Sequence, residues 1–309
     1  MSVISYSQNL EDVMLWRALK NIEHGFYIDI GANHPSIDSV TKLFYSMGWH
    51  GINVEPEDEY YRLLESERNK DINVNVAINS SGEPIEFYVS DVRGWSTTDE
   101  EGLFNLERKH SLKNKITVPT LTLDELCAKY VSSDVHFLKI DVEGAEKDVL
   151  ESFSFDSVRP WIIVIEATKP TTQIDVSHEW ESILFENQYG FIYFDGLNKF
   201  YVADEHKEIG DKLRIPPNVF DDYLLSSQHE AMIERDIEAE KNKLAESCLI
   251  DAKNKLQEFE VILNEAEGRA EIAESKVKSI QNQVSEIQSS VSWKVTAPLR
   301  YISRKLKKQ

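Results

Sequence analysis

The chain has 309 residues, of which 41% are hydrophobic and 28% are charged, as is ordinary for a folded globular protein. Its formal net charge of −20 argues against nucleic acid as the main partner, because duplex binding depends on neutralising phosphates with Lys and Arg. The only two cysteines, Cys127 and Cys248, lie far apart and exclude both a disulfide framework and a zinc site of the usual spacing.

Short β-rich runs alternate with helical patterns between residues 26 and 203. The predicted strands are Phe26–Ile30, Ile52–Val54, Val74–Ile78, Phe137–Asp141 and Ile162–Glu166. Alternation of this kind predicts βαβ units and a mainly parallel sheet. Two further runs, Phe191–Phe194 and Phe200–Val202, flank the turn-rich segment that starts at Asp195. They predict a hairpin, so we expect an α/β domain over residues 1–222 whose sheet ends antiparallel.

A coiled-coil repeat follows the predicted domain. Uncharged residues, mostly apolar, recur at alternating steps of three and four from Ala245 to Val291. A repeat sustained over this length predicts a coiled coil of roughly 70 Å. We expect a linker and this coil over residues 223–292, forming a parallel homo-oligomer. β-Branched seam residues near the end favour a trimer over a dimer.

The last segment, residues 293–309, is basic and amphipathic. On a helix beginning near Pro298, the side chains of Leu299, Ile302 and Leu306 share one face. From Val291 onward the chain has no acid and six basic residues, which are Lys294, Arg300, Arg304, Lys305, Lys307 and Lys308. This predicts contact with an anionic membrane surface. The chain starts without a signal-peptide pattern and has no run of ~20 apolar residues, so we expect a cytoplasmic protein. The basic tail would make it peripheral on the inner face of the membrane.

The first predicted strand leads into Asp29-Ile-Gly-Ala-Asn33, the edge at which open α/β sheets bind ligands. A dinucleotide site needs three glycines in the pattern G-x-G-x-x-G, and after Gly31 this chain has no second or third glycine of that pattern. The missing glycines argue against a nucleotide-dependent oxidoreductase. A ligand that carries a sulfonium, an amino group and a carboxylate fits Asp29 and this loop better. At the end of the second strand, the carboxylate of Glu55 can accept both hydroxyls of a ribose.

Three acids surround the turn that follows the fourth predicted strand. Glu143 and Glu146 lie near a helix start, where the backbone dipole stabilises acids, which favours a structural role for both. Asp141 stands at the carboxyl edge of the strand, where function is favoured. We expect no metal, and a metal site built from Asp141 and Glu166 is the alternative that resistance of the activity to EDTA would exclude.

Five motifs occur in order along the chain: Tyr6–Met14, Tyr27–Asn33, Gly48–Gly51 leading to Val54–Pro56, Leu138–Glu146 and Phe194–Tyr201. Together they resemble the FkbM family of S-adenosylmethionine-dependent methyltransferases. The resemblance implies a Rossmann-like class I methyltransferase fold with a mostly parallel seven-stranded sheet whose last strand is antiparallel. It also implies that the Asp29–Asn33 loop contacts S-adenosylmethionine and that Glu55 binds its ribose. The expected cofactor-binding residues are Gln8, Asp29, Gly31, Ala32, Asn33, Glu55, Ala77 and Asp141.

The same resemblance makes O-methylation the expected reaction. The turn after Asp195 and the tail also look like those of enzymes and glycosyltransferases for bacterial surface polysaccharides, which implies a sugar hydroxyl of an O-antigen or similar glycan, or of a lipid-linked saccharide, as acceptor. We predict that Asp141, or else His178 or Asp195, removes the hydroxyl proton, with Glu143 as a weaker candidate. The alternative function is a catalytically idle scaffold that recruits polysaccharide enzymes through its coil.

Overall fold

A computed structural model describes residues 2–98, 100–170 and 172–306. The chain divides into two compact units, the first extending to Ala231 and the second beginning at Met232. Among the described residues, no helix has the length and apolar character needed to cross a membrane.

The first unit contains strands and helices throughout. Its strands are β1 (Val3–Ser5), β2 (Phe26–Ile30), β3 (His50–Val54), β4 (Ile72–Val74), β5 (Ala77–Ile78), β6 (Ile85–Ser90), β7 (Leu112–Val118), β8 (Thr120–Leu121), β9 (Phe137–Ile140), β10 (Ile162–Glu166), β11 (Tyr189–Phe194), β12 (Asn198–Ala203) and β13 (Tyr223–Leu225). Its helices are α1 (Glu11–Leu19), α2 (Lys42–Ser46), α3 (Asp58–Glu67), α4 (Glu100–Arg108), α5 (Leu123–Tyr130), α6 (Glu146–Glu151), α7 (Glu181–Glu186) and α8 (Lys207–Leu213).

Among the described residues of this unit, a mixed sheet of seven strands forms the centre. The spatial order is β11-β12-β10-β9-β2-β3-β4. Strands β10, β9, β2, β3 and β4 run parallel, whereas β12, the last strand of this sheet in chain order, is antiparallel to both of its neighbours. The predicted α/β fold with a sheet that ends antiparallel is therefore confirmed.

The central strands are mostly apolar because both faces of the sheet are covered. Along β10, Ile163 and Ile165 pack in one buried cluster while Ile162 and Val164 pack in the other, since successive side chains point to opposite faces. Helices α5, α6 and α7 contribute to the first cluster, and α1 and α8 contribute to the second. The carboxyl ends of the parallel strands are thus held together at one edge.

The predicted strand Val74–Ile78 is wrong. Strand β4 ends at Val74, and β5 pairs in parallel with β8 in a separate two-stranded sheet. Asn75 and Val76 separate the two strands, and the side-chain amide of Asn75 donates to the backbone oxygens of Glu55 and Pro56, at 3.0 and 3.2 Å. These contacts draw the chain away from the sheet edge. The antiparallel pair β6 and β7 was not predicted.

The helices of the last part of the chain are α9 (Ser226–Ser289), α10 (Val291–Val295) and α11 (Ala297–Leu306). Helix α9 ends at Ser289, two residues before Val291, the last residue of the predicted repeat. Ser290 is extended, and its side chain accepts a hydrogen bond from the backbone N–H of Trp293, which caps α10. In the tail, the Arg300 guanidinium lies 3.7 Å from the centroid of the Trp293 ring. Lys307 and Lys308 lie outside the described residues.

Candidate active site

A cavity of about 220 Å³ opens at the carboxyl ends of β2, β3 and β9, and we refer to it as the strand-end cavity. Seven of the predicted cofactor-binding residues line it: Gln8, Gly31, Ala32, Asn33, Glu55, Ala77 and Asp141. Glu143 lines it as well. Parallel strands end at the same edge, which is why residues that are distant in sequence meet here.

Glu55 is held rigidly at the wall of this cavity. Its carboxylate accepts the backbone N–H of Asn33 at 2.7 Å and that of Glu57 at 2.8 Å, one on each oxygen. The residue is only 4% exposed, and burial raises the pKa of its carboxyl to about 7 against the lowering effect of the two N–H donors. Each oxygen retains a second lone pair, so the group can still accept hydrogen bonds from ligand hydroxyls.

Gly31 allows the loop after β2 to lie against the end of β9. Its φ of 77° is in the left-handed region, and a Cβ at this position would lie 1.9 Å from the backbone oxygen of Asp141. The backbone N–H groups of Gly31 and Ala32 both donate to the oxygen of Val54, at 3.0 and 3.1 Å. No other residue type fits here, because any side chain would push the loop away from β9.

A buried lysine, Lys139, connects three of these groups. Its Nζ lies 3.4 Å from Asp29 Oδ1 and 3.2 Å from Asp141 Oδ2, and it donates to the backbone oxygen of Gly31 at 3.0 Å. Burial alone would lower the pKa of Lys139, but the carboxylates of Asp141 and Asp29 raise it above its usual value. Sequence reasoning missed this residue, although a lysine within an apolar central strand is an unusual feature that could have indicated it.

Asp29 does not line the strand-end cavity, in contrast to the expected direct contact. It is 1% exposed, and its Oδ2 accepts the hydroxyl of Thr41 at 2.9 Å. The predicted meeting of Asp29, Glu55 and Asp141 in one cleft is therefore seen for the last two residues only. Asp29 lies behind the wall and supports Lys139.

Three acids from two neighbouring strand ends form a compact group, which we name the carboxylate cluster: Asp141, Glu143 and Glu166. One carboxylate oxygen of each lies within 4.8 Å of the others. Glu166 is 7% exposed, and its Oε2 has no hydrogen-bond partner among the described residues. Burial and the negative charges of the neighbouring acids raise the pKa of both Glu143 and Glu166 well above the usual range.

Glu146 belongs to the loop rather than to the cluster. Its Oε1 accepts the backbone N–H groups of Val142 and Gly144, both at 3.2 Å. The side chain is buried, which raises the pKa of its carboxyl to about 7 despite these donors. These contacts favour the structural interpretation of Glu146.

His178 and Asp195, the other two predicted bases, do not line the strand-end cavity. His178 is exposed on a short 3-10 helix, Ser177–Glu179. Asp195 Oδ1 accepts the backbone N–H groups of Leu197 and Asn198, at 2.8 and 2.6 Å. The geometry gives Asp195 a role in stabilising the turn and offers no support for either residue as a base.

The N-terminal motif is tied to that same turn. Asp12 is fully buried and accepts the backbone N–H of Tyr6 at 2.7 Å. Its neighbour Glu11 accepts the side-chain amide of Asn198 at 2.7 Å. These two contacts fix the segment that carries Gln8 to the cavity wall, so the first and last motifs serve one structural purpose.

Another wall of the cavity comes from the unpredicted β6–β7 region. Phe87, Arg93 and Trp95 line it. Trp95 and Glu143 also line a small adjoining cavity of about 20 Å³. The Nζ of Lys109 lies 4.1 Å from the centroid of the Trp95 ring. The β-rich run Ile85–Ser90 and the Arg93-Gly94-Trp95 turn are the sequence signals that could have indicated this region.

A family model described as the methyltransferase FkbM domain matches residues 29–193, which is more than half of the chain. No curated protein sequence matches it. Among solved structures, a Staphylococcus aureus protein described as a candidate caffeoyl-CoA O-methyltransferase is 11% identical with a TM-score of 0.36, covering 65% of this chain and 86% of that one. A conserved hypothetical protein from Streptococcus pyogenes is 9% identical with a TM-score of 0.31, covering 62% and 96%. Scores this low carry no argument about function.

Proposed function

The chain belongs to the FkbM methyltransferase family, and from this premise we propose that it is an S-adenosylmethionine-dependent O-methyltransferase acting on a sugar hydroxyl. One observation carries the proposal: Glu55 and Asp141, from different strands, line one cavity beside the Gly31 loop. The strand order of the central sheet further supports a Rossmann-like class I methyltransferase fold.

The residues of the strand-end cavity fit this cofactor. Glu55 retains free lone pairs for two ribose hydroxyls, and Ala32 and Ala77 leave room beside it. The wall is acidic at Glu55 and Asp141, which suits a cationic ligand. When bound, S-adenosylmethionine supplies an electrophilic methyl group on its sulfonium.

The protein must then position an acceptor hydroxyl and remove its proton. The Asp141 side chain is 38% exposed, reaches the cavity and is held by Lys139 at 3.2 Å. We therefore assign the base role first to Asp141 and second to Glu143. Trp95 offers a flat apolar surface at the cavity wall against which a sugar ring can stack.

The acceptor we favour is a hydroxyl of a bacterial surface glycan, such as an O-antigen, or of a lipid-linked saccharide. Methylation would then cap or decorate the glycan chain. A cytoplasmic enzyme that is peripheral on the inner face of the membrane would meet such an acceptor. The basic segment 293–309 is the part of the chain we assign to contact with anionic lipid or with glycosyltransferases.

Calorimetry with S-adenosylmethionine tests the cofactor assignment. We expect saturable binding that Glu55→Gln weakens by roughly tenfold or more, because hydrogen bonds to a charged acceptor contribute about 1.5 kcal/mol or more. Glu59→Gln is the matched control, since Glu59 is exposed on α3 and pairs with Lys113. Equal weakening in both variants, or no binding by the parent protein, would contradict the assignment.

Methyl transfer itself is tested with Asp141→Asn and a labelled methyl donor on a glycan extract. Loss of a general base lowers turnover by about 10²–10⁴-fold. We expect a loss of this size with unchanged near-ultraviolet circular dichroism, which reports an intact fold. Unchanged turnover would remove Asp141 from the mechanism.

A scaffold function is the second candidate, and α9 is the observation that favours it. The apolar side chains of its repeat are exposed on this helix; Leu256, Phe259 and Leu263, for example, are 61%, 68% and 59% exposed. Such a surface can recruit other polysaccharide enzymes. Failure to bind S-adenosylmethionine, together with capture of a defined polysaccharide enzyme by α9, would favour the scaffold over the enzyme.

A further inference from the structure

The carboxylate cluster combines two features that point to a cation. One oxygen from each of Asp141, Glu143 and Glu166 lies within 4.8 Å of the others. Independently, Glu166 is more than nine-tenths buried, yet its Oε2 accepts no hydrogen bond within the described chain. A buried carboxylate oxygen without a donor is costly, and a bound cation is one of the few partners that removes the cost.

We propose that Asp141, Glu143 and Glu166 bind a divalent cation that prefers oxygen ligands, such as Mg²⁺, Mn²⁺ or Ca²⁺. Carboxylates suit these hard cations, whereas the softer metals favour imidazole and thiolate. Two oxygens bound to one Ca²⁺ can lie up to roughly 5 Å apart, given bonds of 2.3–2.6 Å. The spacing of the cluster thus admits Ca²⁺ directly, and a slight contraction admits Mn²⁺ or Mg²⁺.

Rigid elements hold two of the three ligands. Strands β9 and β10 are parallel neighbours in which Ile140 pairs with Ile165, so Asp141 and Glu166 follow side by side. The backbone N–H of Asp141 donates to Ile30 at 3.1 Å, and that of Ala167 donates to Leu197 at 2.9 Å. A site with ligands on strand ends needs little reorganisation to bind an ion.

The cation would be within reach of an acceptor. Asp141 and Glu143 both line the strand-end cavity, and Glu143 also lines the small cavity beside Trp95. On the proposed function, on which this step alone rests, the ion would hold an acceptor oxygen at the cavity wall. Acceptors that present two neighbouring hydroxyls would be preferred, because both oxygens can bind the same ion.

Manganese binding to the full chain tests the site without any reaction. After treatment with EDTA and dialysis, Mn²⁺ is added and the free ion is followed by electron paramagnetic resonance. We expect one saturable site per chain whose affinity Glu166→Gln lowers at least tenfold. Glu151→Gln is the control, because Glu151 is an exposed acid of α6 that pairs with Lys147. Its affinity should match that of the parent protein.

Thermal unfolding supplies a second measurement. Added Mn²⁺ or Ca²⁺ should raise the melting temperature of the parent protein and of Glu151→Gln, but not that of Glu166→Gln, because an ion that binds only the folded state stabilises it. If Glu166→Gln does not fold, Asp141→Asn replaces it in both measurements, with the same loss expected.

Two outcomes overturn the inference: no saturable Mn²⁺ or Ca²⁺ binding, or binding that survives the substitution in the cluster. Calorimetry with S-adenosylmethionine on the same EDTA-treated protein separates this failure from that of the proposed function. Cofactor binding without metal binding removes the cation site alone. Metal binding without cofactor binding leaves the cation site and removes the methyltransferase.

Discussion

Lys139 is a buried cation that connects a hidden carboxylate, Asp29, with a carboxylate that lines the strand-end cavity, Asp141. Its Nζ lies 3.4 Å from the Asp29 carboxylate, which is buried, and 3.2 Å from the Asp141 carboxylate. Buried charges of this kind are stable only in the presence of their partners. Lys139 therefore fixes the orientation of Asp141 and also pairs with Asp29 behind the wall.

Replacing Lys139 by methionine should be strongly destabilising. The variant leaves Asp29 buried without the lysine that contacts it, and we expect a loss of about 3 kcal/mol or more in the free energy of unfolding, measured by urea denaturation. Adding Asp29→Asn should recover part of this loss. If the free-energy losses of Lys139→Met and Asp29→Asn simply add in the double variant, the two residues are not coupled and this account of Lys139 is wrong.

Several site residues could be predicted from the sequence because strand ends are visible in it. Gly31, Glu55 and Asp141 each follow an apolar run, and runs that are parallel neighbours end at one edge. Lys139 and Glu166 illustrate the limit: the first was overlooked and the second was held only as an alternative ligand. Their importance depends on which strands are neighbours and which atoms lack partners, and neither property can be read from a run of residues.

At the level of elements, the success of prediction follows from burial. Strand β10 is buried at every position and apolar up to its last residue, Glu166, because it is covered on both faces, so its bounds were predicted correctly. Strand β7 has exposed residues at most positions and lacks such a signal. The break between β4 and β5 depends on side-chain hydrogen bonds of Asn75, which no hydrophobic pattern reveals.

Helix α9 leads to a prediction about association. In this helix of 64 residues, the repeat that starts at Ala245 leaves large apolar side chains exposed, and burying such a seam between helices drives coiled-coil formation. We expect the full chain to sediment as an oligomer and Leu256→Lys with Leu263→Lys to sediment as a monomer. Asn254→Lys, which lies outside the seam, is the control. A monomeric parent protein would refute the coiled coil.

At the scale of the whole molecule, three buried acids predict how stability depends on pH. Burial raises the pKa of Glu11, Glu55 and Glu146 from 4.5 to about 7. Between these values the folded state binds more protons than the unfolded state, so the free energy of unfolding falls as the pH rises from about 5 to 7. Each acid contributes up to about 1.4 kcal/mol for each pH unit in this window.

Tryptophan fluorescence measures this effect in the first unit, because five of the six tryptophans lie there. In EDTA, we expect a lower melting temperature at pH 7.5 than at pH 5.5. Glu55→Gln should reduce the difference, since glutamine does not titrate, while Glu59→Gln should leave it unchanged. A melting temperature that rises across this range would contradict the raised pKa values.

The bond between Glu11 and Asn198 has a consequence for biosynthesis. The segment that carries Gln8 leaves the ribosome first, yet the partner that fixes it is translated 187 residues later. Strand β1 can pair only after β13 has been translated, which is later still. A nascent chain therefore cannot complete the wall of the strand-end cavity until almost the whole first unit has emerged, and any product of premature termination before Asn198 is left with an unfinished cavity.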